Sequence, residues 1–359
     1  MQRFALTVLV FASLLTVNIP AVFAMETDQY NLPPMPLADI GDEVSQYIEE
    51  NFIAAVDTVN AEITAHQACL DQASAAKKCG SAADEVKKLA YLRSNEAVAY
   101  EVYKRLGDGS LVLTKTGKWL NNHKFAKSPD RYKAPYTQSP YMFMPIDYAT
   151  MSPTVRIYGT EFGTDKIEHF FQQGYKYYTI QNTESKKGKT RSEAESKAVK
   201  WGRFTENTYF GLMVAGVFSN ADLAANFAGM RFYEGLTRQV NIGETRRPSL
   251  LHLSEGIWRV TDPEHLLGQL LKPFVSEHLN EALNPSVYAF NVYPTVHRVV
   301  RNYACPEWRK EFPNATHDGL AARTAALETW HGDDYGWTKR SLMVTIADTC
   351  YSEPISTGH

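Results

Sequence analysis

The segment 219–235 limits the possible folds of this chain more than any other, because it consists largely of small and apolar residues. It reads SNADLAANFAGMRFYEG. Ser219 is suited to cap a helix whose first turn holds Asp222. Residues 223–230 then place apolar side chains on all sides of that helix. A helix that is apolar all round is buried, so we expect the rest of the chain to pack around it.

Polar residues interrupt this apolar region at helical spacing. Asn226 lies four residues after Asp222 and therefore on the same helix face. Glu206 stands among aromatic and small residues in the preceding segment, and Asp165 and His169 are four residues apart in an earlier one. A packed interior tolerates such groups only when they bond one another, a metal ion or a ligand. The sequence therefore predicts a polar cluster between three helices.

This cluster supplies the candidate site residues. The candidate catalytic residues are His169, Glu206, Asp165 and Asp222, and the same four are candidate ligands of a divalent metal ion. The candidate binding residues are Asn226, Ser219, His278 and Glu281. Neutral imidazole accepts a proton near pH 7, and burial can tune a carboxyl group to return one. The alternative is a structural hydrogen-bond network that fixes three helices and needs no substrate.

His278 and Glu281 enter this set on weaker grounds. A helix is predicted to open at 262–264 and to continue to Glu281, which places the two residues about one turn apart. They can contribute to the site if that end of the helix faces the cluster. The alternative is an ion pair on the surface at the end of a helix.

The order DKxxHF, then a Glu, then SxxDLxANxxG resembles the VanZ-like proteins and several uncharacterised bacterial envelope proteins with the same helical core. The matching residues are Asp165, Lys166, His169, Phe170, Glu206, Ser219, Asp222, Leu223, Asn226 and Gly229. VanZ-like proteins are embedded in the membrane and associated with glycopeptide resistance. Here no segment after residue 24 reaches the roughly 18 apolar residues of a spanning helix. The resemblance implies a shared polar cluster between helices and supplies no reaction.

The first 24 residues indicate export. Arg3 precedes an apolar run, and a small residue, Ala24, stands at the expected cleavage point, which is typical of a secretory signal peptide. The alternative is an uncleaved membrane anchor. Loss of Arg3 would change the formal charge from −3 to −4, which is too weak to indicate a nucleic-acid partner. We therefore predict a periplasmic or secreted protein with no transmembrane anchor after cleavage and with a lipid or cell-wall component as partner.

Four cysteines fit an oxidising compartment. They allow three pairings, of which Cys69–Cys79 with Cys305–Cys350 is favoured because each bond would close a local unit. A zinc site is the alternative, but no CxxC or paired histidine spacing supports it.

These patterns together predict a mainly α fold, a single-domain helical bundle with long aromatic loops and little β structure. The predicted parts are an extended lead-in at 25–40 that is Pro-rich and carries no chemistry, a helical domain at 41–359, a disulfide-stapled hairpin at 41–110 with helices near 42–70 and 82–106, core helices at 160–240 and a C-terminal segment at 300–359.

The absence of GxSxG, HExxH, Walker and GxGxxG motifs removes several standard enzyme classes. One hypothesis is an exported enzyme of the cell envelope, a hydrolase acting on lipid or cell-wall material. The alternative is a non-enzymatic structural or binding protein of the envelope in which the cluster is a hydrogen-bond network.

Overall fold

The computed structural model describes residues 26–71, 79–110, 113–143, 145–208 and 210–352, so the predicted signal peptide at 1–24 lies outside the described residues. The prediction of a mainly α chain is confirmed. Strands in the described part form five antiparallel sheets of two strands each. The single-domain bundle stays a prediction.

The α-helices are α1 Gly41–Asp71, α2 Ala82–Leu92, α3 Asn95–Leu106, α4 Lys115–Asn122, α5 Pro145–Thr150, α6 Asp165–Glu168, α7 Gly174–Lys186, α8 Arg191–Asn207, α9 Asn220–Gly235, α10 Pro263–Leu266, α11 Tyr293–Val299, α12 Cys305–Glu311, α13 His317–Ala326 and α14 Ile346–Cys350. The strands are β1 Gly109–Ser110, β2 Leu113–Thr114, β3 Thr154–Ile157, β4 Thr160–Gly163, β5 Val217–Phe218, β6 Val240–Ile242, β7 Thr245–Arg247, β8 Leu251–Ser254, β9 Ile257–Val260 and β10 Val287–Tyr288. Two π-helical turns span His169–Gln173 and Val300–Ala304, and 3-10 turns span Tyr136–Gln138, Pro140–Phe143, Lys272–Phe274 and Glu277–Leu279.

Helix α9 is the centre of the fold, and every residue in it is buried. Its predicted cap is confirmed, since the side chain of Ser219 accepts a hydrogen bond from the amide of Asp222. The backbone of the π turn comes very close at Gly229, where an added Cβ would lie 2.0 Å from the carbonyl oxygen of Phe170. Only glycine permits this approach, which sets the distance between α9 and the helix that carries His169.

The strand pair β5–β10 lies at the boundary between two hydrophobic cores. Phe218 and Val287 pack into the larger core, which is formed mainly by α1, α3, α7 and α9. Val217 and Tyr288 pack into the smaller core, to which the C-terminal helices contribute. Alternate residues of a strand face opposite sides, so this short ladder connects both cores directly to the start of α9.

Two predicted helices differ from the structure. The helix expected at 82–106 is interrupted, because Ser94 accepts a hydrogen bond from the amide of Ala97 and thereby starts a new helix. The helix expected to run to Glu281 ends at Leu266. Gly268 there has a φ of +52°, and Pro273 cannot donate the backbone hydrogen bond that a continuing helix requires.

The first described residues, 26–31, belong to the predicted lead-in and lie inside the protein. Tyr30 donates to the carbonyl of Val344 (3.0 Å) and accepts at its own carbonyl from the indole of Trp308 (2.7 Å). Thr27 donates to the carbonyl of Ser152 at 3.1 Å. This segment is therefore a core element that joins distant parts of the chain.

Asp28 in this segment gives the fold a measurable pH dependence. Burial raises the pKa of Asp28 to about 6, while hydrogen bonds from Asn31 act in the opposite direction. The folded state therefore holds a proton that the unfolded chain releases near pH 4. This contribution to stability is complete below that pH and is lost as the pH rises through 6.

Relative to an Asp28→Asn variant, the wild type should lose about 3 kcal/mol of unfolding free energy between pH 4 and pH 7. Urea unfolding of both proteins at four pH values measures this difference. Asp318→Asn, which changes a fully exposed side chain, is the matched control and should follow the wild type. A constant difference between wild type and Asp28→Asn across the range would contradict the prediction.

Both predicted disulfides are formed, Cys69–Cys79 and Cys305–Cys350. Such bonds are typical of proteins that fold in an oxidising compartment. Among the described residues, we find no helix that combines the length and the apolar character needed to span a bilayer.

Candidate functional site

A fully buried lysine lies at the centre of the polar cluster. The ammonium of Lys166 donates to Asp165 Oδ2 at 2.6 Å, to Asp222 Oδ1 at 2.5 Å and to Glu281 Oε1 at 2.5 Å. Burial by itself would lower the pKa of Lys166, but the three carboxylates raise it well above its usual range. The lysine is therefore charged and binds α6, α9 and the segment after residue 279 together.

Five carboxyl groups surround this single ammonium group. Besides its three partners, Glu26 from the buried N-terminal segment and Glu206 from the last turn of α8 complete the set. Each of the five residues is no more than 2 % exposed. Full ionisation would place a net charge of −4 in the interior, which a medium of low dielectric constant does not tolerate without protons or further cations.

The pKa shifts reflect this excess of negative charge. Burial, and then the charges of neighbouring carboxylates, raise the pKa values of Glu26 and Glu206 well above the usual range. Burial also raises the pKa of Glu281 to about 7, although Lys166 acts in the opposite direction. Burial also raises the pKa of Asp165. The cluster therefore retains protons at neutral pH unless a cation replaces them.

Four of these carboxyl groups also have an oxygen without a hydrogen-bond partner in the described part of the chain. The atoms are Asp165 Oδ1, Glu26 Oε2, Glu206 Oε1 and Glu281 Oε2. Buried oxygens of this kind are rare in folded proteins and indicate a proton, a water molecule or an ion in contact with them.

His169 connects the cluster to solvent. Its Nδ1 lies 3.0 Å from Asn226 Oδ1, an atom that can only accept, so His169 donates from Nδ1. In the neutral ring, Nε2 then carries a lone pair, and it faces Asp222 Oδ2 at 3.4 Å. Two such atoms facing each other require a proton or a metal ion between them. The His169 side chain is 17 % exposed, which makes this the accessible edge of the cluster.

Glu206 lies beside this pair. Its Oε2 accepts a hydrogen bond from the amide of Ser219 at 3.4 Å. One ligand atom each from His169, Glu206 and Asp222 lies within 4.8 Å of the other two, which is close enough for the three to share one metal ion. Glu26, Asp222 and Glu281 form a second group of this kind, but the ammonium of Lys166 already lies between two of its members.

The π turn His169–Gln173 holds the histidine in place. The turn interrupts the helix between α6 and α7, at the point where Gly174 and Gly229 bring the two backbones together. Turns of this type are rare and occur often at functional sites. Here the turn lies on one side of the cluster and α9 on the other.

The structure places most of the sequence-predicted residues together. Asp165, His169, Glu206, Ser219, Asp222, Asn226 and Glu281 all lie in the cluster. Two details differ from expectation. Asp165 bonds Lys166, which is not among the candidate site residues, and the ion pair considered as the alternative for His278 and Glu281 is not formed in the described part of the chain, because the predicted helix ends early. His278 instead bonds Ser276 and the carbonyl of Thr329.

Sequence reasoning missed Lys166 as a functional residue and Glu26 altogether. The DKxxHF pattern contains Lys166, and the apolar neighbours Ile167, Phe170 and Phe171 indicate that this helix is buried on several sides. That was the available signal for the lysine. Glu26 gave no signal, because no periodic pattern surrounds it.

Comparisons with protein-family models, curated proteins and solved structures find no match to this chain. The resemblance to VanZ-like proteins therefore stays a prediction.

Proposed function

We propose that the protein is an exported hydrolase of the cell envelope that uses a divalent metal ion held by His169, Glu206 and Asp222. The observation that carries this proposal is the 3.4 Å approach of His169 Nε2 to Asp222 Oδ2, beside the unpartnered Glu206 Oε1. An ion at this point would be within reach of one ligand atom each from His169, Glu206 and Asp222.

The surrounding contacts support a metal-binding role for His169. A metal-bound histidine usually donates its second ring N–H to an oxygen of a neighbouring residue, which fixes the ring and its tautomer. Asn226 Oδ1 accepts this bond here. One imidazole with two carboxylates suits ions such as Zn²⁺, Mn²⁺ or Fe²⁺. A bound ion of this type lowers the pKa of a coordinated water molecule and polarises a carbonyl or phosphoryl oxygen.

The other groups prepare this site. Lys166 offsets the charge of Asp222 and fixes its Oδ1, so Oδ2 faces His169. Glu281 is held by Lys166 and by the hydroxyl of Ser219, which donates at 3.1 Å. Glu281 is a candidate acid and base near neutral pH, since its pKa is about 7.

The cell-envelope setting depends on the predicted signal peptide, together with the two disulfides. The proposed substrate class, lipid or cell-wall material, follows from that setting and not from the geometry of the cluster.

The metal site can be tested directly. After dialysis against buffer, elemental analysis should find about one divalent ion per chain, and His169→Ala should lose it. Asn226→Leu should weaken the affinity about 10-fold to 100-fold, since it removes the bond that orients the histidine. His317→Ala is the matched control, because His317 also bonds two carboxylates, Asp318 and Asp348, but at the surface.

Purified wild type that binds no ion, either as isolated or after titration with Zn²⁺ or Mn²⁺, would overturn the metal proposal. Hydrolysis is tested separately with ester and phosphodiester probes and with isolated peptidoglycan. Activity that His169→Ala abolishes and that His317→Ala leaves unchanged would support the hydrolase.

A structural role is the second candidate, and the three ion pairs of Lys166 favour it. They join α6, α9 and Glu281 in one buried network, and such networks can fix a unique packing. Asp222→Ala separates the two candidates. Loss of folding indicates a structural network, whereas a folded variant that has lost the ion supports the metal site.

A further inference from the structure

Three segments distant in sequence meet where β5 and β10 pair, and the loops beside these strands reach the surface. These are 212–218, 287–301 and 338–344. Ala289 donates its amide to the carbonyl of Gly216 at 2.8 Å, and Tyr288 donates to the carbonyl of Leu342 at 3.0 Å. The loop before β5 and the loop after β10 are therefore held side by side.

The tips of these loops expose large apolar side chains. Phe290 is 82 % exposed, Met213 76 % and Val214 41 %. Single exposed apolar residues are common, but these three lie on two loops that the hydrogen bond from Ala289 to Gly216 joins. We call the three residues the apolar tip.

The charged residues of the three segments have one sign. The three segments read LMVAGVF, VYAFNVYPTVHRVVR and TKRSLMV, and none contains an acidic residue. Arg298 and Arg301 follow Phe290 and are exposed, and Arg340 packs over the ring of Phe218 at 4.6 Å. Within the described residues, none of these arginines forms an ion pair with a carboxylate. The chain as a whole carries a formal charge of −3, so the charge of this surface is opposite in sign to the net charge of the protein.

We propose that this surface docks on an anionic lipid bilayer, with the apolar tip inserted among the acyl chains and the exposed Arg298 and Arg301 at the headgroups. Short apolar loops flanked by cations suit the boundary between headgroups and acyl chains, where both kinds of side chain gain contacts. A protein partner would instead be met by a broader apolar face with a polar rim.

The surface is directly continuous with the polar cluster. β5 leads from the apolar tip to Ser219, and the amide of Leu212 donates to the carbonyl of Glu206 at 2.8 Å. Docking would therefore place the cluster close to the membrane. The proposal goes beyond the metal-dependent function and does not require it.

The test is flotation of the purified exported protein with two kinds of vesicle, phosphatidylcholine alone and phosphatidylcholine with about 30 % phosphatidylglycerol. The wild type should float with the anionic vesicles, and about 0.5 M salt should weaken this binding because it screens the arginines. Met213→Ser/Phe290→Ser should bind about tenfold more weakly, because two apolar side chains no longer insert.

Two further variants identify the contributions. Arg298→Gln/Arg301→Gln should weaken binding to the anionic vesicles and leave any binding to phosphatidylcholine unchanged. Met35→Ser/Leu253→Ser, which changes two exposed apolar residues elsewhere, is the matched control and should bind as the wild type does. All variants should keep the wild-type unfolding midpoint, since the substituted side chains are at the surface.

The proposal would be overturned if the wild type floated with neither kind of vesicle. It would also be overturned if Met213→Ser/Phe290→Ser bound the anionic vesicles as strongly as the wild type does. A dimer in sedimentation that this double variant dissociates would overturn it as well, because the occupant would then be a second copy of the chain. Repeating the flotation in a metal chelator should give the same result. Failure of docking and failure of the metal site can therefore be distinguished.

Discussion

Replacing Lys166 by Met should lower the free energy of unfolding by about 4 kcal/mol at pH 8, because it leaves buried carboxylates without their cation. The ammonium is the shared partner of Asp165, Asp222 and Glu281, each within 2.6 Å. The Met side chain has a volume similar to that of Lys. The decrease in unfolding free energy therefore measures the loss of the charge and not the formation of a cavity. Urea unfolding measures the difference.

The pH dependence of this loss provides a second test. Without the ammonium, the carboxyl groups hold their protons more tightly in the folded state than in the unfolded chain. Stability gained in this way is present at low pH and is lost as the pH rises. The variant should therefore approach the wild type at pH 5. Lys310→Met is the matched control, since Lys310 forms a surface pair with Glu307 and should matter by well under about 1 kcal/mol. A loss that does not change with pH would contradict the interpretation.

Removing the disulfide Cys305–Cys350 should have an effect of similar size. Its cysteines are 45 residues apart, and closing a loop of that length restricts the unfolded chain by about 4 kcal/mol. The cysteines of Cys69–Cys79 are only 10 residues apart, and the same relation gives about 3 kcal/mol. The double variants Cys305→Ala/Cys350→Ala and Cys69→Ala/Cys79→Ala serve as controls for each other.

The test is which of the two disulfides, when removed, lowers the free energy of unfolding more. Cys305 and Cys350 are also fully buried in the smaller core, so their replacement removes packing as well. Urea unfolding without reductant should therefore rank the C-terminal pair above the N-terminal pair. An equal or reversed ranking would show that loop closure does not govern the stability of this chain.

Where the sequence predicted the fold correctly, local chemistry and tertiary packing agree. Apart from Asn226, residues 223–230 are apolar or small throughout, which fits a buried helix, and Ser219 is a good cap in any context. The prediction of a long helix after Pro263 was wrong. The apolar residues there are spaced as in a helix, but Gly268 and Pro273 favour a different backbone conformation. The break at Ser94 was missed for a related reason. A serine inside a helical pattern is tolerated, and only the structure shows that it caps a new helix.

The site was predicted in part because unusual residues in apolar surroundings attract attention. Asp222, Asn226 and Glu206 stand out in this way. Lys166 did not, because lysine is expected at the surface and is almost never fully buried without partners. Its partners Asp222 and Glu281 are 56 and 115 residues away, so the pairing is a property of the tertiary fold. Glu26 could be found only by locating the segment that carries it.

The position of residues 26–31 has a consequence for the order of assembly. Tyr30 bonds a carbonyl 314 residues further along the chain, and the amide of Glu281 donates to the side chain of Gln29. A chain that appears from its N-terminus first must keep this segment unpaired until almost all of it has been made. Contacts of such long range are formed slowly, because a long loop has to close before they form. We therefore expect the cluster to be completed late in folding, and an early folded intermediate to lack Glu26.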